Sequence, residues 1–144
     1  MTKEEVAKMS RKIKHEDLSK TIICHENESA VEVAKILRDT GSRHLLVLSK
    51  DEKPLGIIST VDINNRVVAA QKDPLKLKAA DIMTKEIITV PSSSELMDAL
   101  QKMSDKNITF VPVVDSHHKL LGVLDFTKSL KLLCEVEKEA KHRG

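Results

Sequence analysis

The sequence predicts a mixed α/β (α+β) chain made of two copies of a β-α-β-β-α unit, and three observations carry that reading. Shifted by 66 positions, the apolar pattern falls on itself: Ile22 meets Ile88, Leu37 meets Met103, Val47 meets Val113, and Leu55-Gly56-Ile57-Ile58 meets Leu121-Gly122-Val123-Leu124. Each copy holds one stretch of apolar residues at helical spacing. Each also holds two short runs rich in Val, Ile and Leu, separated by polar turns, as buried strands are.

The elements follow in order. Thr21–Cys24 and Ile87–Val90 read as the opening extended pieces. Ser29-x-x-Glu32 and Ser92-x-x-Glu95 both fit a capping box, in which a hydroxyl accepts from backbone N–H and the acid reaches back. Ala30, Val33, Ala34 and Leu37, then Leu96, Ala99, Leu100 and Met103, mark the helices behind them. Leu45–Leu48 and Leu55–Ile58 flank the turn Ser49–Pro54, and Val111–Val114 and Leu120–Leu124 flank Asp115–Lys119. Closing helices are expected over Val61–Ala70 and Phe126–Lys138, with Gln71–Ala80, which contains Asp73-Pro74, as the linker. Before Ile22 the repeat slips by one or two residues, so that Asp17-Leu18-Ser19 faces Asp81-Ile82-Met83-Thr84.

The 144 residues suit one domain or two half-size repeats sharing a core. With 24 basic and 22 acidic residues the net charge is only +2, which weighs against a nucleic-acid binder relying on charge. The only aromatic residues are Phe110 and Phe126, too few for a base-stacking platform. Cys24 and Cys134 are far apart, as reduced thiols rather than a disulfide framework or metal half-site. No apolar run approaches the roughly 20 residues that span a membrane. The opening residues lack an apolar signal core, so a soluble, cytoplasmic protein is expected.

Three segments in register resemble the cystathionine-β-synthase (CBS) domain. Asp81-Ile82-Met83-Thr84 with Ile88-Thr89-Val90-Pro91 looks like its opening. Phe110-Val111-Pro112-Val113-Val114-Asp115 looks like its central strand, and Leu55-Gly56-Ile57-Ile58-Ser59-Thr60-Val61-Asp62 its strand-to-helix segment. The resemblance covers about residues 14–133 and implies a tandem pair, or Bateman module, packed around a pseudo-two-fold axis and standing alone. The division expected is an N-terminal helix over 1–13, repeats over 14–72 and 73–133, and a helical extension over 134–144.

Ser59-x-x-Asp62 sits where a buried strand turns into a helix. The hydroxyl and the first N–H groups of that helix suit a phosphate, and an Asp accepts well from vicinal ribose hydroxyls. Either residue could instead do no more than cap the helix. The resemblance implies that this motif, with Thr60, binds adenosine compounds in a cleft between the copies. It also implies base contacts from Thr21, Ile22 and Ile23, and phosphate contacts near Ser42, Arg43 and His44. Thr109, Phe110 and Pro112 are the second-copy counterparts. Arg66, one turn after Asp62, is a candidate phosphate contact or a solvated surface arginine. In the second copy Asp125 and Lys128 replace the hydroxyl and the carboxylate, so that half-site is degenerate or lends Lys128 to a phosphate.

Two other groupings are weaker. His117-His118 beside Asp115 suits a solvated turn better than a metal site, since neighbours in a turn diverge. Cys24 and His44 lack the orienting group and oxyanion hole that nucleophilic catalysis needs. The expected function is therefore a non-enzymatic regulatory sensor or adaptor for an adenosine-containing ligand: AMP, ADP, ATP, S-adenosylmethionine or a dinucleotide. No obligatory cofactor and no metal are expected; the partners expected are a second copy of the chain, through the Val61–Ala70 and Leu130–Val136 faces, and a regulated protein. The rival readings are a ligand-free dimerisation module and, less favoured, a nucleic-acid regulator using the basic segment Lys8–Lys14.

Overall fold

The computed structural model describes residue 2 and residues 11–143, with side chains through residue 135. The helix expected over 1–13 thus falls mostly outside the described residues, and residues 11–13 are not helical. Two compact units are present.

The first comprises residues 21–88 with 118–120. Its strands are β1 (Ile23–His25), β2 (His44–Leu48) and β3 (Pro54–Ser59), in the order β1-β2-β3. Helix α1 (Ala30–Thr40) crosses between β1 and β2, so these two run parallel, while β2 and β3 form an antiparallel hairpin. The short α2 (Thr60–Ile63) and α3 (Ala79–Ile82) complete it. Val33 and Leu37 of α1 pack with Cys24, Leu45, Val47, Ile58, Val67 and Ile82 in one buried cluster.

The second unit takes in residues 89–117, 121–144 and the first twenty, as far as they are described. It holds β4 (Val90–Pro91), α4 (Leu96–Lys106), β5 (Phe110–Val114), β6 (Leu120–Asp125) and α5 (Phe126–Arg143), with sheet order β4-β5-β6. The β-α-β-β-α plan therefore occurs twice, as the sequence predicts. All of Leu45–Leu48 and Val111–Val114 are buried, as strands covered on both faces must be.

The leader segments cross the repeat boundaries. In the first unit Ala30 N–H donates to Leu77 O, and Thr84 exchanges both backbone hydrogen bonds with Ile57. In the second, Leu96 N–H donates to Arg11 O, and Ser19 exchanges both with Val123. Thr84 and Ser19 thus hold equivalent places although they are one residue out of the 66-residue register, which is the expected slip.

Four local expectations need correction. The opening strands begin later than expected, at Ile23 and Val90, because only those residues pair in register with β2 and β5. Ser29 does cap α1, accepting from Glu32 N–H at 3.2 Å, but the Glu32 carboxylate turns to Lys35 Nζ and the reciprocal half of the box is not made. The second capping box does not form: α4 starts at Leu96 behind Glu95, with no side-chain cap, and Ser92 lies in the turn after β4. The 66-residue register places Glu95, not Ser92, opposite Ser29. The helix expected over Val61–Ala70 is α-helical only to Ile63, then widens to a π-turn over Asn64–Val68, closed by Ala69 N–H to Asn64 O at 2.8 Å. Its Asn and Val residues are weak helix formers. Finally, α5 continues past Lys138 to Arg143.

Gly56 is the point where leader and hairpin touch most closely. A Cβ there would lie 2.6 Å from the Thr84 carbonyl oxygen and 2.8 Å from Met83 Sδ. The carbonyl belongs to a backbone bridge and cannot swing away. At the counterpart Gly122 the nearest atom would be 3.0 Å away, Leu18 Cβ. Thermal unfolding of Gly56→Ala is therefore expected to show a loss of about 1–3 kcal/mol, and Gly122→Ala a smaller one; equal melting points for Gly56→Ala and wild type would contradict the contact.

Candidate functional site

Three segments converge at one end of the first sheet. His44 stands opposite Ser59 in the hairpin register. Thr60 N–H donates to Arg43 O at 2.9 Å, and Leu46 N–H donates to Ile22 O at 2.9 Å. Thr21–Ile23, Ser42–His44 and Ser59–Asp62 are therefore neighbours. Ser42 Oγ donates to His44 O at 2.7 Å and fixes the turn into β2. Arg43 is exposed.

Ser59 and Asp62 form the reciprocal capping box. Asp62 N–H donates to Ser59 Oγ at 3.2 Å, and Ser59 N–H donates to Asp62 Oδ2 at 2.8 Å. The capping reading of this pair is thus real, and it leaves the ligand reading intact. A carboxylate has about four acceptor positions, and Oδ2 takes the box, including Ser59 Oγ at 3.2 Å. Oδ1 accepts only a long bond, 3.3 Å, from Thr84 Oγ1 and has Arg66 Nε at 3.9 Å. The Asp62 side chain is 15% exposed. Held on one side and loosely partnered on the other, it is pre-oriented to accept from a ligand hydroxyl.

Arg66 keeps 45% of its side chain exposed, as a surface arginine does, but its guanidinium is turned to the backbone. Its guanidinium donates to Ile82 O at 2.9 Å, Met83 O at 2.6 Å and Thr84 Oγ1 at 3.4 Å. It satisfies carbonyls left unpaired at the end of α3 and pins the leader beside Asp62. Sequence spacing missed this role, and it missed Thr84 as Asp62's neighbour. The pairing of Asp81–Thr84 with Asp17–Ser19 was the available signal.

The second-copy candidates lie in the other unit. Phe126 N–H donates to Thr109 O at 2.9 Å, the same bond that Thr60 makes to Arg43. Phe110 is half-buried at the start of β5, and Pro112 is buried within it. Asp125 Oδ1 accepts from Lys128 N–H at 2.8 Å, so it caps α5 as Ser59 caps α2.

Cys24 is buried, and burial, followed by the nearby Glu28 charge, pushes its thiol up to about 12. At neutral pH it is protonated and no nucleophile. His117 and His118 occupy an exposed turn in which His117 N–H donates to Asp115 Oδ1. Among the described residues no helix is long and apolar enough to cross a membrane.

A model of the CBS domain matches residues 4–69 and 79–128. The chain belongs to the CBS domain family. An uncharacterized protein of Methanopyrus kandleri is 34% identical over 118 residues, 79% of this chain and 60% of that protein. L-aspartate semialdehyde sulfurtransferase of Methanocaldococcus jannaschii is 34% identical over 103 residues, 72% of this chain but 19% of the enzyme. The CBS chain thus spans less than two thirds of these curated relatives. Among solved structures, it resembles the CBS domain pair of protein MJ0100 in complex with 5′-methylthioadenosine and S-adenosyl-L-methionine. That likeness has 32% identity and a TM-score of 0.63, over 84% of this chain and 94% of that one. It shares the fold of CbpB in complex with c-di-AMP at 18% identity and a TM-score of 0.81, over 99% and 97% of the two chains.

Proposed function

We propose that this CBS chain is a regulatory sensor or adaptor that binds an adenosine-containing ligand at the Asp62 end of its first sheet. The observation that carries the reading is Asp62 itself, a carboxylate fixed by a capping box with one oxygen loosely partnered. Ser59, Thr60, Thr21–Ile23 and Ser42–His44 surround it and supply hydroxyl, backbone and basic groups for the rest of a nucleoside or nucleotide. Thr109, Phe110 and Pro112 are the matching positions of the second copy. The bound molecules named for the MJ0100 and CbpB structures, all adenosine compounds, support the ligand class. The relatives named as enzymes match this chain over only a small part of their length, which supports a regulatory rather than a catalytic part.

The protein acts as a homodimer in the cytoplasm, with no obligatory cofactor, and passes ligand occupancy to a regulated protein. The dimer reading is supported by a groove of about 510 Å³ lined by Ala30, Val31, Ala34, Ile63, Val67, Val68 and Pro74, with Lys35 and Arg38 as its charged residues. Val68 in that lining is 67% exposed and Val61, two residues before Ile63, is 61% exposed, more apolar surface than a lone chain usually shows. The test is thermal unfolding with AMP, ADP, ATP, S-adenosylmethionine and NAD, with GTP as control. A ligand that binds only the folded state adds about 2.7 kcal/mol at a hundredfold excess over Kd. An adenosine compound is expected to raise Tm by several degrees, and GTP less. No rise with any of them would favour the ligand-free dimerisation module.

A further inference from the structure

The turn between β2 and β3 is held at one residue from two sides. Glu52 takes a positive φ of 64°, which residues with a side chain normally avoid. Its carboxylate Oε1 meets His25 Nε2 of β1 at 2.8 Å, and its carbonyl oxygen accepts from Leu120 N–H at 2.9 Å. Leu120 lies in residues 118–120, which belong to the same unit. The 66-residue counterpart of Leu120 is Pro54, which has no N–H to return that bond. On its other side the His25 ring faces Glu28, with Nδ1 3.8 Å from Oε1, and that same oxygen accepts from His25 N–H at 3.1 Å. One imidazole thus stands between two carboxylates from different segments. The counterparts of His25, Glu28 and Glu52 in the second copy are Pro91, Ser94 and His118, so only the first copy is equipped this way.

We propose that His25 is a proton-operated clasp: charged, it ties the Glu52 turn to β1 and keeps Glu52 O in place for Leu120 N–H; neutral, it lets that turn loosen. The imidazolium has two N–H donors and attracts both acids, whereas the neutral ring keeps one N–H and no charge. The hydrogen bond to Glu52 is the largest influence on the ring and raises the value at which it titrates; slight burial opposes it, and the Glu52 and Glu28 charges add to it. Those two are the charges acting on the ring, not Glu26, Lys50, Asp51, Lys53, His118 or Lys119 of the neighbouring segments. A value raised in the folded chain makes the clasp fully present below the unfolded value of about 6.5, and lost as pH rises through the folded one. The side chains of His25 and Glu52 are 41% and 52% exposed, so the pair exchanges protons with solvent and contributes modestly, as surface pairs do.

The experiment is an NMR titration of the full chain over roughly pH 5 to 9, in dilute buffer so that salt does not screen the pair. It follows the His25 ring protons and, in parallel, amide hydrogen exchange at Leu120 corrected for its intrinsic pH dependence. No ligand is added, so the result does not depend on the adenosine reading. In the wild type His25 is expected to titrate above the ordinary histidine value, and Leu120 protection to fall about two- to fivefold through the same pH range. Glu52→Gln is expected to bring His25 down toward the ordinary value and to lower Leu120 protection in acid, and Glu28→Gln to move His25 less. In His25→Gln the pH step at Leu120 is expected to vanish. A wild-type His25 that titrates at the ordinary value, a larger effect of Glu28→Gln than of Glu52→Gln, no step at Leu120, or a step that survives in His25→Gln overturns the proposal.

Discussion

Asp62→Ala is expected to lower affinity for the adenosine ligand by at least tenfold and by as much as about a thousandfold. The ribose would lose two hydrogen bonds to a charged acceptor, each contributing roughly 1.5–3 kcal/mol, with about 1.4 kcal/mol per tenfold in Kd. The loss falls short of the full sum because Thr84 already donates weakly to Oδ1 and must give way. The variant also loses the acid of the capping box, which contributes about 1 kcal/mol to stability. Binding should therefore be measured by calorimetry well below its melting point. Asp62→Asn keeps the shape and one acceptor while removing the charge, and is expected to fall between alanine and wild type. Wild-type affinity in Asp62→Ala would place the ligand elsewhere.

The largest stability effect is expected at Asp17. It is 2% exposed and accepts from both terminal nitrogens of Arg11 at 2.7 Å and from Lys14 N–H at 2.7 Å. Breaking a buried pair by removing one partner usually costs about 3–5 kcal/mol. Arg11 retains 25% exposure and can turn to water, so Asp17→Ala is expected to lose about 2–3 kcal/mol. The Arg11 guanidinium, with Lys14 N–H, holds the Asp17 carboxyl below its ordinary range. A lowered folded-state value means that the contribution is fully present above the unfolded value of about 3.9. It is lost as pH falls through the folded value. Urea unfolding at pH 7 and pH 3 is expected to show the wild type losing much of its advantage over Asp17→Asn in acid. An equal gap at both pH values would mean that the carboxylate charge is not what stabilises the leader.

The repeat, the element order and the strand-end motif were legible because they rest on apolar periodicity and on residues adjacent in sequence. The details that escaped depend on contacts distant in sequence. Arg66 binds carbonyls sixteen and seventeen residues away, and a one-turn spacing from Asp62 cannot reveal that. Ser92-x-x-Glu95 looked like a cap because the motif is short, whereas the register of Leu96 against Ala30 decides where the helix begins. The π-turn after Ile63 was hidden because apolar spacing cannot separate a regular helix from one widened by a residue. Lys128 was visible as a departure from the motif, but the hydroxyl its ammonium donates to at 3.1 Å, Ser19 Oγ, lies 109 residues away.

The central claim is tested most directly by isothermal titration of the wild-type chain with AMP, ADP, ATP, 5′-methylthioadenosine and S-adenosylmethionine, read for stoichiometry as well as affinity. One strong site per chain for an adenosine compound, lost with Asp62, is the expected result. Two equivalent sites per chain, or no binding heat with any of the five at several temperatures, would contradict it.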